Sequence, residues 1–430
     1  MFPLSGTIGI FKKIRHFRKG KDILRSAIQS SVPKSILIFS PPILILFFSL
    51  VLARDGSSSF GHFSGSHALP PGFPVRDIYG TFPTFDKIID GKYTTSQKSF
   101  QIFYTMDPIL QSRVEEIFRK RRPPFGVFIA VEPKSGKLLA LADFRQEVSG
   151  DKPIWHAGTY PAASIFKLVT AAGALEKGLL SSQSLVSFKG NQYRLGPHKL
   201  QESKNRDQRT QFDEALGKSN NVVFGRVASN LLGSQILRHY AEAFAFNRTI
   251  PFDYPLEMSK ATIPDEPYEL ARCGAGFGAV TLNPVHAALI AACIANQGLM
   301  MKPYLVERIH HPHGRLYYQA RPEILARPIR EKTAKDLGGM MLRTVEDGTA
   351  AQIFHRQGRL LLQKISVSGK TGSLRGEHPP GMYEWFIGFA PAEDPQIAFS
   401  AMVINHERGK VKAAYVAQEA LKTFFRGEIN

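Results

Sequence analysis

Cysteine is almost missing from this chain: 430 residues hold two, Cys273 and Cys293, and no Cys-x-x-Cys pair. That excludes a small disulfide-framed fold and a thiolate zinc site. Two buried thiols are expected, with a bridge between them as the alternative. Histidines crowd only at His310, His311 and His313, where Pro312 and Gly314 make a turn, so no metal site is expected. Internal repeats are also lacking, and so is any cofactor motif. Acids are scarce, 36 against 55 Lys and Arg, for a net charge of +19. Yet the folded part carries no basic block and no nucleic-acid motif, so nucleic acid is not an expected partner. An anionic surface or wall polymer remains compatible with such a charge.

What is present begins with apolar residues, 43% of the chain, with 11% aromatics, enough for a substantial core. Ile36 to Ala53 is an uncharged run of eighteen residues, about 27 Å as a helix, enough to span a bilayer core. The cations from Lys12 to Lys34 precede it, opposed only by Asp22. The expectation is a basic cytoplasmic tail over 1–35 and a transmembrane anchor over 36–53, with the body exported. A cleaved signal peptide is the alternative, given the small residues near Ala53, but residues 1–35 are long for one. Residues 54–99, rich at first in Gly, Ser and Pro, read as linker.

From Phe100 the pattern turns globular. Asp107 and Pro108 open a helix reaching Arg119. Gly126–Val131 and Lys137–Ala142 flank a turn and read as an antiparallel hairpin. Helices are expected after Ser164, over 212–232, 284–296, 331–346 and 413–425. Strands are expected near 367–373, 385–390 and 397–404. Strands at both ends of the region with helices between them predict an α/β fold of the α+β type. Its antiparallel sheet is formed by both ends of the domain and flanked by helices, with an inserted helical subdomain.

The chemistry concentrates at Pro161-Ala162-Ala163-Ser164-Ile165-Phe166-Lys167. On a helix, positions three apart share a face, so the Lys167 amine can reach the Ser164 hydroxyl. First-turn N–H groups favour developing negative charge there. These are parts of an acyl-transfer nucleophile. A second Ser-x-x-Lys at Ser31 and Lys34 sits beside the apolar run, where such chemistry has no setting. Two further motifs follow Ser164 in order: Ser219-Asn220-Asn221 and Lys370-Thr371-Gly372, the latter on a strand pattern. Ser203-Lys204-Asn205 and Lys134-Ser135-Gly136 mimic them, the first in a polar loop and the second in the hairpin turn.

Ser-x-x-Lys, Ser-x-Asn and Lys-Thr-Gly in this order mark penicillin-binding proteins and related β-lactamases. From about Phe100 to the end the chain resembles the transpeptidase domain of penicillin-binding proteins, most like class B. Thr105–Gln111, Ala275–Pro303, Val345–Ala350 and Trp385–Pro391 are similar to further segments of that family. The resemblance implies Ser164 as nucleophile, Lys167 as its base and Ser219 as proton relay. It implies Asn221, Lys370, Thr371, Gly372 and Ser373 as substrate-binding, with no cofactor and no metal. Trp385 reads as core. The activity implied is a peptidoglycan D,D-transpeptidase anchored in the bacterial cytoplasmic membrane, its catalytic domain outside. Its partners would be stem peptides, β-lactams, the membrane and a glycan polymerase. Residues 54–99 leave little of the pedestal domain on which such a polymerase docks in that family. Alternatives are a D,D-carboxypeptidase or a non-catalytic penicillin-binding or sensor domain. A β-lactamase lacks support, since no Glu-x-x-Leu-Asn motif is found.

Overall fold

The structure is a computed structural model that describes Ile78, residues 80–147, 152–203, 205–356, 359–360, 362, 365–406 and 411–429. The tail and anchor expected over 1–53 lie outside the described residues, and among those described no helix is long and apolar enough to cross a membrane.

The chain enters through β1 (Lys87–Ile89), β2 (Lys92–Gln97) and β3 (Phe100–Tyr104). The first two fall where linker was expected. The Asp90–Gly91 turn, both residues at positive φ, folds β1 onto β2, and Thr94 and Thr95 are buried. A short strand with one buried flank carries too weak an alternation to be seen in sequence. Next come α1 (Pro108–Arg121), β4 (Phe125–Val131) and β5 (Leu138–Arg145). The Asp107 carboxylate caps α1 by accepting from Ile109 N at 2.8 Å and Leu110 N at 3.1 Å.

A 3-10 turn (Ala163–Phe166) leads into α2 (Lys167–Glu176), stopped near Gly178 at positive φ. The single helix expected over 212–232 is broken. α3 (Phe212–Gly217) ends, Ser219 turns left-handed at φ 55°, and α4 (Asn221–Arg226) restarts under an Asn220 cap. The Asn220 side chain accepts from Val222 N and Val223 N, both at 3.1 Å, so local capping overrides helix continuity. α5 (Pro284–Ala295) follows, then β6 (Val306–His310) and β7 (Leu316–Gln319). The histidines expected in a turn lie at the end of β6 and in the turn to β7. After α6 (Glu331–Glu346), the C-terminal strands β8 (Ser368–Glu377), β9 (Pro380–Ala390) and β10 (Ile397–Asn405) precede α7 (Ala413–Phe424).

The large sheet has the order β8-β9-β10-β4-β5, antiparallel throughout, so strands from both ends of the region close one sheet as expected. A second sheet, β1-β2-β3-β6-β7, was not foreseen. Apolar side chains cover both faces of the large sheet: one cluster holds Trp385, Ile387 and Met402 with α2 and α5, the other Phe128, Phe386 and Phe399 with α1 and α7. Cys273 and Cys293 are free and buried. β8 ends its sheet, leaving one backbone edge that no strand among the described residues pairs, beside the turn that carries Ser164.

Candidate active site

Ser164 sits in the 3-10 turn, at the mouth of a groove of about 580 Å³ that Ser219, Asn221, Thr371, Ser373 and Trp385 also line. Its predecessor Ala163 holds φ 49°, an uncommon conformation for a side chain with a Cβ, costing about 1–3 kcal/mol. Gly276 is pressed against that residue: a Cβ there would stand 2.1 Å from the Ala163 carbonyl oxygen. The Gly-rich segment thus clamps the turn that presents the serine.

Lys167 begins α2 one turn later and is wholly buried. Its Nζ lies 2.7 Å from Ser164 Oγ, 2.7 Å from Asn221 Oδ1 and 2.6 Å from Ala275 O. Two of these partners only accept. A neutral amine donates its two hydrogens to them and turns its lone pair toward the serine hydroxyl. Burial drives the Lys167 pKa well below its ordinary value, and the nearby Lys370 charge pushes it the same way.

Asn221 is held on both sides. Its Nδ2 donates to Tyr193 O at 2.8 Å, and its own N–H to Gln192 O at 2.8 Å. The loop over 191–193 therefore fixes the amide that faces Lys167. Lys370 is also fully buried; its Nζ donates to Ser219 Oγ at 3.0 Å and to Thr371 O at 2.9 Å. Burial lowers its pKa to about 7. Ser219 reaches it only because the helix breaks there.

Gly372, expected as substrate-binding, lines the groove. Its open side also faces the serine turn, where a Cβ would meet Ile165 Cγ1 at 3.2 Å and Ala163 Cβ at 3.4 Å. Ser373 is exposed on the strand edge. Trp385 is 1% exposed and donates from Nε1 to Pro161 O at 3.0 Å, so it is core that also floors the groove.

Three groups escaped the sequence reading. Thr349 Oγ1 lies 2.5 Å from Thr371 Oγ1, and Thr349 N donates to Gly217 O at 3.1 Å. The Ala275 and Tyr193 carbonyls act through backbone, which no side-chain pattern reveals. Thr349 at least lay in a segment already marked as family-like.

All eight residues singled out in sequence thus converge on one groove or its buried wall. A family model for the penicillin binding protein transpeptidase domain matches residues 126–423. The chain belongs to that family. It is similar to the peptidoglycan D,D-transpeptidase PbpA of Mycolicibacterium smegmatis, 28% identical over 329 residues, covering 65% of this chain and 62% of the relative. Stage V sporulation protein D of Bacillus subtilis is 24% identical over 73% of this chain and 51% of its own length. The chain therefore spans less than two thirds of either relative. Among solved structures, the D,D-transpeptidase domain of a peptidoglycan glycosyltransferase from Eggerthella lenta superposes with TM-score 0.63 at 24% identity, covering 76% of this chain and 83% of that one. Penicillin-binding protein A of M. tuberculosis, as an imipenem acyl-enzyme complex, gives 0.61 at 24% identity over 75% and 79%. These likenesses establish the penicillin-binding transpeptidase fold.

Proposed function

We propose that the chain is a peptidoglycan D,D-transpeptidase that cross-links stem peptides through a serine acyl-enzyme and is acylated by β-lactams. The observation that carries this reading is the Lys167 amine, held by two acceptors and aimed at Ser164 in a groove walled by an unpaired strand edge.

A donor peptide ending in two D-alanines lies along β8 as an added strand, using its free backbone edge. Its terminal carboxylate is bound by Lys370 and the Thr371 hydroxyl. Ser164 Oγ attacks the carbonyl between the D-alanines while Lys167 takes the hydroxyl proton. The Ser164 and Ser373 N–H groups stabilise the oxyanion, an effect worth about 3–4 kcal/mol per donor. Ser219, held by Lys370, passes its proton to the leaving amine and is refilled with the one Lys167 took, and D-alanine departs. The second Asn221 amide hydrogen is free for the donor's peptide carbonyl. An amine from another stem peptide then attacks the acyl carbon, neutral Lys167 accepts its proton and returns it to Ser164 Oγ, and the cross-link forms as Ser164 is released.

We place the domain outside the bacterial cytoplasmic membrane, anchored by the uncharged run Ile36–Ala53 behind its cationic flank, with a glycan polymerase as partner. Residues 1–53 support the anchor, and the family resemblance alone supports the polymerase.

Fluorescent penicillin followed by a stem-peptide thioester with a D-amino acid acceptor tests the assignment. Lasting label on Ser164 together with aminolysis is expected. Hydrolysis despite abundant acceptor would make it a carboxypeptidase, and label without peptide turnover a binding domain.

A further inference from the structure

The amide that faces Lys167 is braced from outside the groove. Residues 191–202 form a strap that starts beside Asn221, runs along α4 and ends at the last residue of that helix, Arg226. At the near end, Gln192 O accepts from Asn221 N and Tyr193 O accepts from Asn221 Nδ2, each at 2.8 Å. Midway, Leu195 lies against Gly225, where a Cβ would stand 2.9 Å from Leu195 Cδ1. At the far end, Arg226 Nε donates to Lys199 O at 2.7 Å and Nη2 to Gln201 O at 2.9 Å. Nη1 donates to Ser187 Oγ at 2.8 Å and to Asp207 Oδ2 at 2.7 Å. The strap is also tied across itself: Lys199 Nζ donates to Asn191 O at 3.0 Å and to Arg194 O at 2.5 Å.

Stability alone is a poor account of this arrangement. The Arg226 and Asp207 side chains are each only 5% exposed. A buried ion pair gains little net stability, because desolvating both charges offsets their attraction. Asp207 Oδ1 is buried as well and finds no hydrogen-bond partner among the described residues. What the pair does achieve is geometric. A rigid planar fork fixes two strap carbonyls, and the Lys199 tie carries that placement to Asn191 and Arg194, the residues flanking Gln192 and Tyr193. Arg226 follows Asn221 by five positions, about 7.5 Å along the helix. Helix and strap therefore make a closed bracket, with the guanidinium at one end and the Asn221 amide at the other. The sense of that amide matters. Tyr193 O can only accept, so it takes the Nδ2 side and leaves Oδ1 for Lys167.

We propose that Arg226 is a positioning residue for acylation: through the 191–202 strap it holds the Tyr193 carbonyl against Asn221, and so sets the amide that orients Lys167. Arg226 itself lines a separate cavity of about 430 Å³ with Val223 and Val227. The assignment rests on the acyl-enzyme reading and adds to it a residue that touches no reacting atom.

The test is a mutant cycle on the whole chain, read as the second-order rate of Ser164 labelling by fluorescent penicillin per folded molecule. Arg226→Met alone would orphan the Asp207 charge, so it is made together with Asp207→Asn. This pair should label about 10–100-fold more slowly than wild type, the loss expected when a reacting group is misplaced by about 1 Å. Asn221→Ala should lose at least as much, and adding the pair to it should cost no more than about twofold further. A residue that only supports the fold would multiply its own loss onto that of Asn221→Ala. Lys199→Met cuts the cross-tie without orphaning a buried charge, and gives a second cycle should the pair fail to fold. Its single loss should be about 3–10-fold, again absorbed by Asn221→Ala. Losses that multiply in the cycle that folds overturn the proposal, as do wild-type rates in the strap variants or in Asn221→Ala. Failure of the wild-type protein to take any label would instead sink the acyl-enzyme reading beneath it.

Discussion

The two faces of the large sheet spend buried polar groups differently. Facing α1 and α7, the polar side chains serve the backbone. Gln111 accepts from Leu141 N at 2.9 Å and donates to Leu141 O at 3.2 Å, and Gln418 donates to Ile353 O at 2.5 Å. Facing α2, two lysines are buried with no carboxylate among the described residues paired to either. Removing a lysine from water costs several kcal/mol, and an unpaired one escapes that cost by losing its proton. One face satisfies its polar groups for stability; the other leaves a lone pair and a cation where chemistry needs them.

Breaking the reactive face should produce the largest effect. Lys167→Met keeps the volume and removes the base, so penicillin acylation of Ser164 should fall by about 10³-fold or more. Stopped-flow labelling measures it, and a residual rate within tenfold of wild type would leave Lys167 a structural residue. The opposite face should show the converse. Phe399 is fully buried and stacks on Phe128 at 6.3 Å between ring centroids. Phe399→Ala should cost about 3–5 kcal/mol in denaturant unfolding while acylation per folded molecule holds.

Proton occupancy sharpens the contrast further. Acylation needs Lys167 neutral and Lys370 charged. The rate should therefore rise with pH through the depressed Lys167 pKa and fall above about 7 as Lys370 deprotonates, about tenfold per unit. Lys370→Arg should remove the falling limb, because a guanidinium keeps its proton. Stability should move the other way. Both folded pKa values lie below the unfolded value near 10.4, so between pH 7 and 10 the unfolded chain binds more protons. Unfolding free energy should rise with pH there, by at most about 1.4 kcal/mol per unit for each lysine.

Legibility in the sequence follows the same division. Elements with a strong period were plain: α6 begins and ends at the expected residues 331 and 346, and β8, β9, β10 and the β4–β5 hairpin were all foreseen. The three motifs that the structure gathers at one groove were readable because they sit on side chains at fixed spacing. What escaped was set by backbone or by brief pairing. β1 and β2 are too short for alternation to register, the break at Ser219 depends on one residue turning left-handed, and the Ala275 and Tyr193 carbonyls carry no side-chain mark.

Thr349 tests the boundary between the two kinds of polar group, because it does both jobs. Its N–H ties the α6 end to Gly217 beside the Ser219 corner, while its hydroxyl meets that of Thr371. Two hydroxyls at that separation share one hydrogen between them, so Thr349 decides where the Thr371 hydrogen points. If Thr371 donates to the substrate carboxylate, Thr349 must donate to Thr371. Thr349→Val keeps the shape and the backbone link but removes that donor, so the donor-peptide KM should rise about 3–10-fold with kcat nearly constant. Thr349→Ser should recover most of the loss. A fall in kcat at unchanged KM, or no recovery by serine, would make Thr349 part of the scaffold and move the boundary to Thr371.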